Sequence, residues 1–256
     1  MLPRIDHLVT AGPMTAPLND LRVVRRSATD RGPHPQRDRL QMPAKAPLIL
    51  GFDTSSAHCA AALLRGETVL AQRREEMARG QAERLMPLIE EILAEGEATW
   101  SDLDAIAVGI GPGNFTGIRI SVSAARGLAL GLDVPAIGVS SLEAQAFGQN
   151  APVISSVDAR RDHLYLQVGD QPPGLYTLET LPPLLDGAMC VGQQASEIAA
   201  RCNGTVAEPR YPVAEAIARV AASRLGAPDL PAPAPLYLRD ADAAPSREQP
   251  PALLND

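Results

Sequence analysis

Two aspartates, Asp53 and Asp158, each follow a short apolar run and precede a polar turn. Two carboxylates that face one cleft can hold a metal ion or act as a general base. Aspartate also caps turns, which is its commoner use. The hydroxyls of Thr54 and Ser55 have the same two interpretations, because they can contact a phosphate or satisfy the turn. We favour turn formation at both places.

Histidine and cysteine, the usual protein ligands of zinc, are sparse in this chain. There are four histidines and three cysteines, and no CxxC, HxxxH or HExxH spacing occurs. A zinc site needs several such ligands at short spacing, so no metal site is predicted. The GxSxG pattern of a serine nucleophile is also absent.

The most informative segment is a glycine-rich turn that leads into a helix, GIGPGNFTGIR at residues 109–119. Glycine lets the backbone pass close to another surface, and Asn114 can cap the helix by accepting a backbone N–H. Such a turn can bind an anion, but the GxxxxGK[ST] and GxGxxG patterns of nucleotide-binding loops are absent. Arg119 stands where the helix dipole disfavours a cation, which predicts a specific anionic partner. The segment contacts a nucleotide or serves the fold or an interface, and we favour the second.

Two predicted helices, residues 81–95 and 114–131, could dock on another protein. The first has a wide apolar face, and the second carries small residues on several sides, which allow close helix approach. The alternative, that both helices are buried inside this chain, fits the pattern equally well. If the glycines mark a docking face, Gly117→Arg should abolish partner binding and leave folding mostly intact.

The predicted elements that would hold these residues follow the order βββαβαβα, and a thinner set of strands and helices comes after them. The same strand–Asp–turn–strand arrangement surrounds both aspartates, which is a weak internal repeat. Strands that alternate with helices after a meander predict an α/β fold with mixed sheets and flanking helices. We predict a first lobe at residues 47–150, a reduced second lobe at 151–228, and a proline-rich connector and tail at 229–256.

Residues 1–46 differ in composition from the rest of the chain. They contain eight basic residues, four acidic residues and six prolines, with no sustained apolar period. This segment is therefore predicted to be disordered. It is either a basic arm that touches RNA or an extension upstream of a true start at Met42, and we favour the second interpretation.

The whole chain is acidic, with a formal net charge of −7. Because phosphate neutralisation needs clustered Lys and Arg, such a chain is poorly suited to bind RNA by itself. No apolar run is long enough for a membrane helix, and no signal peptide is recognisable. The sequence therefore predicts a cytoplasmic protein without a membrane partner.

At the level of motifs, the chain resembles the TsaB (YeaZ) family, the dimerization subunit of the tRNA threonylcarbamoyladenosine complex. The resemblance is strong over residues 47–147, patchy beyond them and absent from 1–46. Four motifs carry it: LGFDTSS at 50–56, ERLMPLIEEIL at 83–93, SDLDAIAVGIGPGNFTGIRISVSAARGLALG at 101–131 and IGVSSLEA at 137–144. The chain has Gln81 where the family often has His, and Asn114 where it often has Ser.

The resemblance implies an actin-like ATPase fold (ASKHA, ribonuclease H-like) and a subunit that has lost catalysis and has no cofactor of its own. It implies that the chain binds and activates TsaD, which transfers the threonylcarbamoyl group to adenosine in tRNAs that read codons starting with A. Further implied partners are the small ATPase TsaE and, functionally, TsaC. The partner would hold most of the tRNA, ATP or ADP could lie at the junction of the complex, and the free chain could be a homodimer.

The resemblance also assigns residues to sites. The contact with TsaD falls on the two helices of the first lobe, at Leu85, Met86, Ile89, Leu93, Gly113, Asn114, Phe115, Thr116, Gly117, Arg119, Ala124 and Leu128. A nucleotide cleft that has lost its chemistry would contain Asp53, Thr54, Ser55 and Asp158. The alternative function is an ATP-dependent kinase or acyltransferase of the actin-like superfamily. In that case Asp53 would position a metal ion and Asp158 would activate a water or hydroxyl.

Overall fold

The structure is a computed structural model that describes residues 45–150 and 152–239. Disorder was predicted for residues 1–46, and Met42 was predicted as the true start. Of that segment the structure describes only residues 45 and 46, so both predictions lie outside the described part. The end of the predicted tail, residues 240–256, lies outside it as well.

The first lobe is built on a five-stranded mixed sheet in the order β3-β2-β1-β4-β5. Its strands are β1 (Leu48–Asp53), β2 (His58–Arg65), β3 (Thr68–Glu76), β4 (Ala105–Gly109) and β5 (Ala136–Val139). The central strand β1 pairs antiparallel with β2 and parallel with β4. All six residues of β1 are buried, which explains why its sequence is a continuous apolar run rather than an alternating one.

The second lobe repeats this topology on a smaller scale. Its sheet has the order β10-β9-β6-β7-β8, with strands β6 (Val153–Asp158), β7 (Leu164–Val168), β8 (Gly174–Tyr176), β9 (Met189–Gly192) and β10 (Thr205–Ala207). Here β6 pairs antiparallel with β7 and parallel with β9, as β1 does with its neighbours. The prediction of two lobes of one design, with the second reduced, is confirmed.

Helices cover the sheets and pass between the lobes. They are α1 (Gln81–Glu95), α2 (Phe115–Leu132), α3 (Ser141–Ala146), α4 (Ala195–Arg201) and α5 (Val213–Arg224). Helices α1 and α2 pack on one face of the first sheet. Helix α3 follows the first sheet in sequence but packs on β6 of the second.

Helix α5 makes the opposite crossing, since it follows the second sheet but packs on β1, β2 and β4 of the first. Its residues Ala216, Ile217 and Val220 share a core with Ile49 of β1. A β-carbon at Gly51 would lie 2.5 Å from the carbonyl oxygen of Ala214, so the helix backbone rests directly on the strand. The assignment of all of residues 151–228 to the second lobe is therefore wrong for α5.

An ion-pair cluster centred on Arg84 ties α1 to β3. The guanidinium donates hydrogen bonds to Glu75 at 2.6 and 2.7 Å and to Glu91 at 2.7 Å. Arg73 of β3 pairs with Glu91 and with Glu95. The hydrogen bonds from Arg84 hold the pKa of the Glu75 carboxyl and that of the Glu91 carboxyl below their usual range.

Replacing Arg84 by methionine is expected to flatten the loss of stability in acid. Because the folded-state pKa of both glutamates is lowered, their pairing stabilises the fold above the unfolded pKa. That contribution is lost as the pH falls through the folded value. Thermal melts between neutral pH and about pH 3 should therefore show a steeper drop in Tm for the wild type than for Arg84→Met.

The matched control is Arg126→Met, which removes an exposed arginine of α2. This variant should keep the wild-type slope of Tm against pH. Equal slopes for the wild type and Arg84→Met would contradict the role given to the cluster.

Candidate functional site

Asp53 lies at the end of β1 and is completely buried. Its Oδ2 accepts hydrogen bonds from the backbone N–H of Ser55 at 3.2 Å and from the Ser55 hydroxyl at 2.9 Å. His58 Nε2 lies 2.7 Å from the same oxygen. The other oxygen, Oδ1, has no hydrogen-bond partner among the described residues and occupies the space where Gly109 lacks a β-carbon. Asp53 contributes to the lining of a cleft between the lobes, but its carboxylate has no solvent-exposed surface and is held by groups of its own chain.

The β1–β2 hairpin brings His58 to Asp53. The two strands pair antiparallel, so the last residue of β1 and the first residue of β2 lie at the same end of the hairpin. His58 is only 5% exposed. Because a carboxylate can only accept hydrogen bonds, Nε2 must carry a proton in this contact. The hairpin therefore supplies Asp53 with an internal donor.

Thr54 and Ser55 also make their contacts inside the fold. Thr54 Oγ1 donates to the carbonyl oxygen of Gly117 at 2.7 Å, and the carbonyl oxygen of Ser55 accepts the N–H of Asn114 at 2.7 Å. These bonds join the turn after β1 to the start of α2. Both residues are buried, so they satisfy the turn rather than present hydroxyls to a phosphate.

Asp158 occupies the position in the second lobe that Asp53 occupies in the first, but it is exposed. Its Oδ1 accepts the N–H of Arg160 at 2.8 Å, which is the hydrogen bond of an Asx turn. The kinase or acyltransferase interpretation requires both carboxylates to face one cleft, and Asp158 is not among the residues that line the cleft beside Asp53.

A cleft of about 480 Å³ opens beside Asp53 between residues of the two lobes, including Ser56, Arg74, Val157 and Glu208. The described residues contain no group of three or more His, Cys, Asp or Glu side chains that could hold a metal ion. Magnesium in a nucleotide site is held by one or two carboxylates together with the phosphates. Here the carboxylate of Asp53 is buried and engaged by protein donors, so the residues present do not fit a magnesium–nucleotide complex.

Close backbone approach explains two glycines of the glycine-rich turn. A β-carbon at Gly117 would overlap the carbonyl oxygen of Thr54, and one at Gly113 would overlap that of Ser55. The surface that these glycines approach belongs to the chain itself. The expectation that Gly117→Arg would leave folding intact is therefore wrong, because the new side chain would collide with the turn after β1.

The helix cap predicted at Asn114 is confirmed. Its Oδ1 accepts the backbone N–H of Gly117 at 3.0 Å. Asn114 itself is exposed, so the cap fixes the start of α2 at the protein surface.

Four of the residues predicted to contact a partner are buried in the chain. Leu85, Ile89 and Leu93 fill the core between α1 and the first sheet, and each is at most 4% exposed. Gly117 is buried against the turn after β1. These four cannot contact a partner in this conformation, because their own fold already covers them.

The other predicted contact residues are accessible and form what we call the α1–α2 surface. Met86 is 36% exposed and Phe115 is 49% exposed. Leu130, which the sequence analysis did not single out, is 86% exposed on α2. The α1–α2 surface consists of Met86, Gly113, Asn114, Phe115, Thr116, Arg119, Ala124 and Leu128, of which Gly113, Ala124 and Leu128 are half-buried.

Arg119 contacts aromatic rings where an anionic partner was predicted. Its Cζ lies 3.8 Å from the ring centroid of Phe115, and its Nε donates to the Tyr237 hydroxyl at 2.8 Å. The negative face of an aromatic ring attracts a guanidinium. This attraction offsets the unfavourable position of a cation near a helix N-terminus, so the rings take the place of the expected anion.

His58 and Tyr237 are site residues that the sequence analysis missed. A signal for His58 existed, because a polar residue at the first position of an apolar strand faces the end of the preceding strand in a hairpin. The contact of Tyr237 with Arg119 could not be predicted locally, since 118 positions separate the two residues.

The three cysteines are free and buried. Burial raises the pKa of the Cys59 thiol to about 11. A protonated thiol in a strand core is not a nucleophile. In the described ranges, no helix is both long enough and apolar enough to span a membrane.

The two lobes contain mixed sheets of the same topology, and α3 and α5 each pack on the sheet of the other lobe. This arrangement defines an actin-like ATPase fold. A crystal structure of an uncharacterized Pseudomonas aeruginosa protein with similarity to peptidase YEAZ matches with a TM-score of 0.65. It is 28% identical, and the match covers 75% of this chain and 100% of that chain. YeaZ from Pseudomonas aeruginosa matches over the same shares with a TM-score of 0.61. The chain belongs to the TsaB (YeaZ) family.

Sequence comparisons agree with this assignment. The tRNA threonylcarbamoyladenosine biosynthesis protein TsaB of Escherichia coli is 39% identical over 122 residues, which are 46% of this chain and 52% of that protein. An uncharacterized protein of Mycobacterium tuberculosis is 34% identical over 205 residues, 77% of this chain and 94% of that protein. The chain spans about half the length of the first curated relatives that it matches. A family model described as TsaD, tRNA N6-adenosine threonylcarbamoyltransferase, matches residues 68–173.

Proposed function

We propose that this chain is a non-catalytic subunit that binds and activates TsaD in the formation of threonylcarbamoyladenosine in tRNA, at tRNAs that read codons starting with A. The observation that carries the proposal is the enclosure of Asp53. An actin-like enzyme needs carboxylates that face its cleft. In this chain the carboxylate of Asp53, at the end of β1, is instead hydrogen-bonded to His58 and Ser55. Its second aspartate, Asp158, caps an exposed turn.

The family relationship supports the choice of partner. Relatives at 37–40% identity carry the name TsaB and a place in threonylcarbamoyladenosine biosynthesis. The match of residues 68–173 to the TsaD family includes both α1 and α2. Two homologous chains can therefore present equivalent helix pairs to each other, in an arrangement close to that of an isologous dimer. Such helices pack by ridges and grooves over an apolar contact.

The accessible side chains of the α1–α2 surface suit this role. Met86 and Phe115 are large apolar groups that water reaches, and Met adapts readily to a partner surface. The cores beneath them are fully packed, so the helices are held rigid from inside. A rigid, partly apolar helix pair is the kind of surface that docks on another helix pair, and the same face could support a homodimer of the free chain.

The other expected partners follow from the same assignment. With a net charge of −7, the chain would leave most tRNA contacts to TsaD. ATP or ADP would bind at the junction of the complex, because the residues beside Asp53 do not fit a magnesium–nucleotide site. TsaE would act on the assembled pair, and TsaC would supply the activated threonylcarbamoyl group.

Reconstitution tests the proposal. The full chain, TsaD, TsaE and TsaC from the same organism are mixed with threonine, bicarbonate, ATP and unmodified tRNA. We expect threonylcarbamoyladenosine, measured by mass spectrometry of digested tRNA, only when this chain is present. We also expect the chain and TsaD to elute together from a size-exclusion column at micromolar concentration.

A matched pair of variants locates the contact. Met86→Asp places a charge on the α1–α2 surface and should abolish co-elution, whereas Val206→Asp places one on the exposed strand β10 of the second lobe and should not. ATP turnover by the isolated chain that disappears in Asp53→Ala would overturn the proposal in favour of the kinase or acyltransferase. Full activity of TsaD without this chain would equally contradict it.

A further inference from the structure

The segment after α5, residues 230–239, crosses the first lobe without forming a helix or strand; we call it the strap. The backbone N–H of Leu236 donates to the carbonyl oxygen of Ile110, at the end of β4, at 2.8 Å. Leu238 packs against an apolar cluster between α3 and β7. These two contacts fix the backbone on both sides of Tyr237, which is left to point outward.

Tyr237 completes a stack of three flat side chains at the start of α2. The rings of Tyr237 and Phe115 have centroids 5.2 Å apart with 30° between their planes. The Cζ atom of Arg119 lies 3.8 Å from the ring centroid of Phe115. Its Nε also donates a hydrogen bond to the Tyr237 hydroxyl at 2.8 Å. The tyrosine therefore holds both α2 side chains by separate contacts.

All three members of the stack are reached by solvent. Tyr237 is 45% exposed and Phe115 is 49% exposed, and Arg119 is exposed as well. In a chain with only 3% aromatic residues, an exposed aromatic pair braced by an arginine is not needed for the core. Aromatic and arginine side chains are the residue types that dominate binding energy at protein interfaces.

We propose that Tyr237 is a positioning residue of the α1–α2 surface and that the strap forms part of the face that docks on TsaD. This inference rests on the proposed function. Phe115 and Arg119 belong both to the stack and to the α1–α2 surface, so the two are continuous. By holding both side chains in one arrangement, Tyr237 lowers the ordering cost that they would otherwise incur on binding.

A protein occupant is favoured over RNA. Aromatic and arginine side chains also stack on the bases of single-stranded RNA. However, binding of RNA draws mainly on phosphate neutralisation, and the chain carries a net charge of −7. A helix pair from TsaD requires no such basic surroundings.

A double-mutant cycle tests the inference. Tyr237→Ala in the full chain is expected to weaken TsaD binding about tenfold, chiefly through faster dissociation. In a Phe115→Ala/Arg119→Ala background the same change should have little effect, because the tyrosine then has nothing left to position. Tyr237→Phe, which keeps the ring and loses the hydroxyl, should give a smaller loss. Surface plasmon resonance gives the affinities, and thermal melts of each variant show whether the fold is intact.

The outcomes separate the inference from the proposed function. A purely structural tyrosine would lower Tm and leave the affinity for TsaD unchanged, and so would overturn the inference. Val206→Ala, which trims an exposed side chain far from the stack in sequence, should keep wild-type affinity. If the wild type fails to bind TsaD, the proposed function falls and the inference falls with it. If Tyr237→Ala weakens tRNA binding but not TsaD binding, the stack serves RNA and protein docking is wrong.

Discussion

Replacing Asp53 by alanine is expected to lower the free energy of unfolding, because each buried hydrogen-bonding group that is left without its partner costs about 1–3 kcal/mol. His58 and the Ser55 hydroxyl would both lose the oxygen that they share. Urea unfolding followed by circular dichroism measures the change. The size of the effect discriminates between functions, because a carboxylate kept for catalysis often costs stability and its removal is often neutral or stabilising.

Two further variants control this experiment. Asp158→Ala removes the equivalent aspartate of the second lobe, where it is exposed, and should cost less than about 1 kcal/mol. The double variant Asp53→Ala/His58→Ala should cost clearly less than the sum of its single changes, because residues in direct contact are not additive. An Asp53→Ala chain as stable as the wild type would show that the enclosure contributes nothing to folding.

Replacing Gly117 by alanine is expected to destabilise the protein although alanine is the better helix former. The added methyl group would overlap the carbonyl oxygen of Thr54, which is backbone and cannot move aside cheaply. Overpacking of this kind costs about 1–3 kcal/mol. The turn after β1 would be pushed from α2, so the hydrogen bond from Thr54 Oγ1 to the Gly117 carbonyl should weaken as well.

Gly127 provides a control in the same helix. A β-carbon there meets nothing within 4 Å, so Gly127→Ala should raise stability by about 0.5–1 kcal/mol through reduced backbone entropy. We expect the two substitutions to change the stability of the protein in opposite directions, as measured by the midpoints of urea unfolding. If both changes stabilise the protein, the close approach of α2 to the turn after β1 is not real.

The regular elements of the fold could be predicted because their signals are local. Continuous apolar runs marked β1 and β4, helical spacing of Leu85, Leu88 and Ile92 marked α1, and the repeated strand–Asp–turn–strand arrangement indicated two lobes. The edge strands β8 and β10 escaped prediction, since each has three residues and neither forms an apolar run. A strand that short is defined by its neighbour rather than by its own sequence.

The site was harder to predict because it depends on contacts between distant parts of the chain. An apolar stripe shows that one face of a helix is covered, but not whether the cover is the same chain or another. For this reason Leu85, Ile89 and Leu93 were assigned to an interface although they fill the core. Gly113 and Gly117 were correctly recognised as marks of close approach, yet the surface that they approach, the turn at Thr54 and Ser55, could be identified only in three dimensions. Gly127 and Gly131, further along α2, approach nothing.

The crossing of α5 determines when a newly made chain can finish folding. The strands of the first sheet leave the ribosome early, but the face that carries Ile49, Leu64 and Ala107 is covered by α5, which begins at Val213. Until then that face is open to chaperones and to aggregation. A product truncated before Val213 therefore leaves this face of the first sheet uncovered.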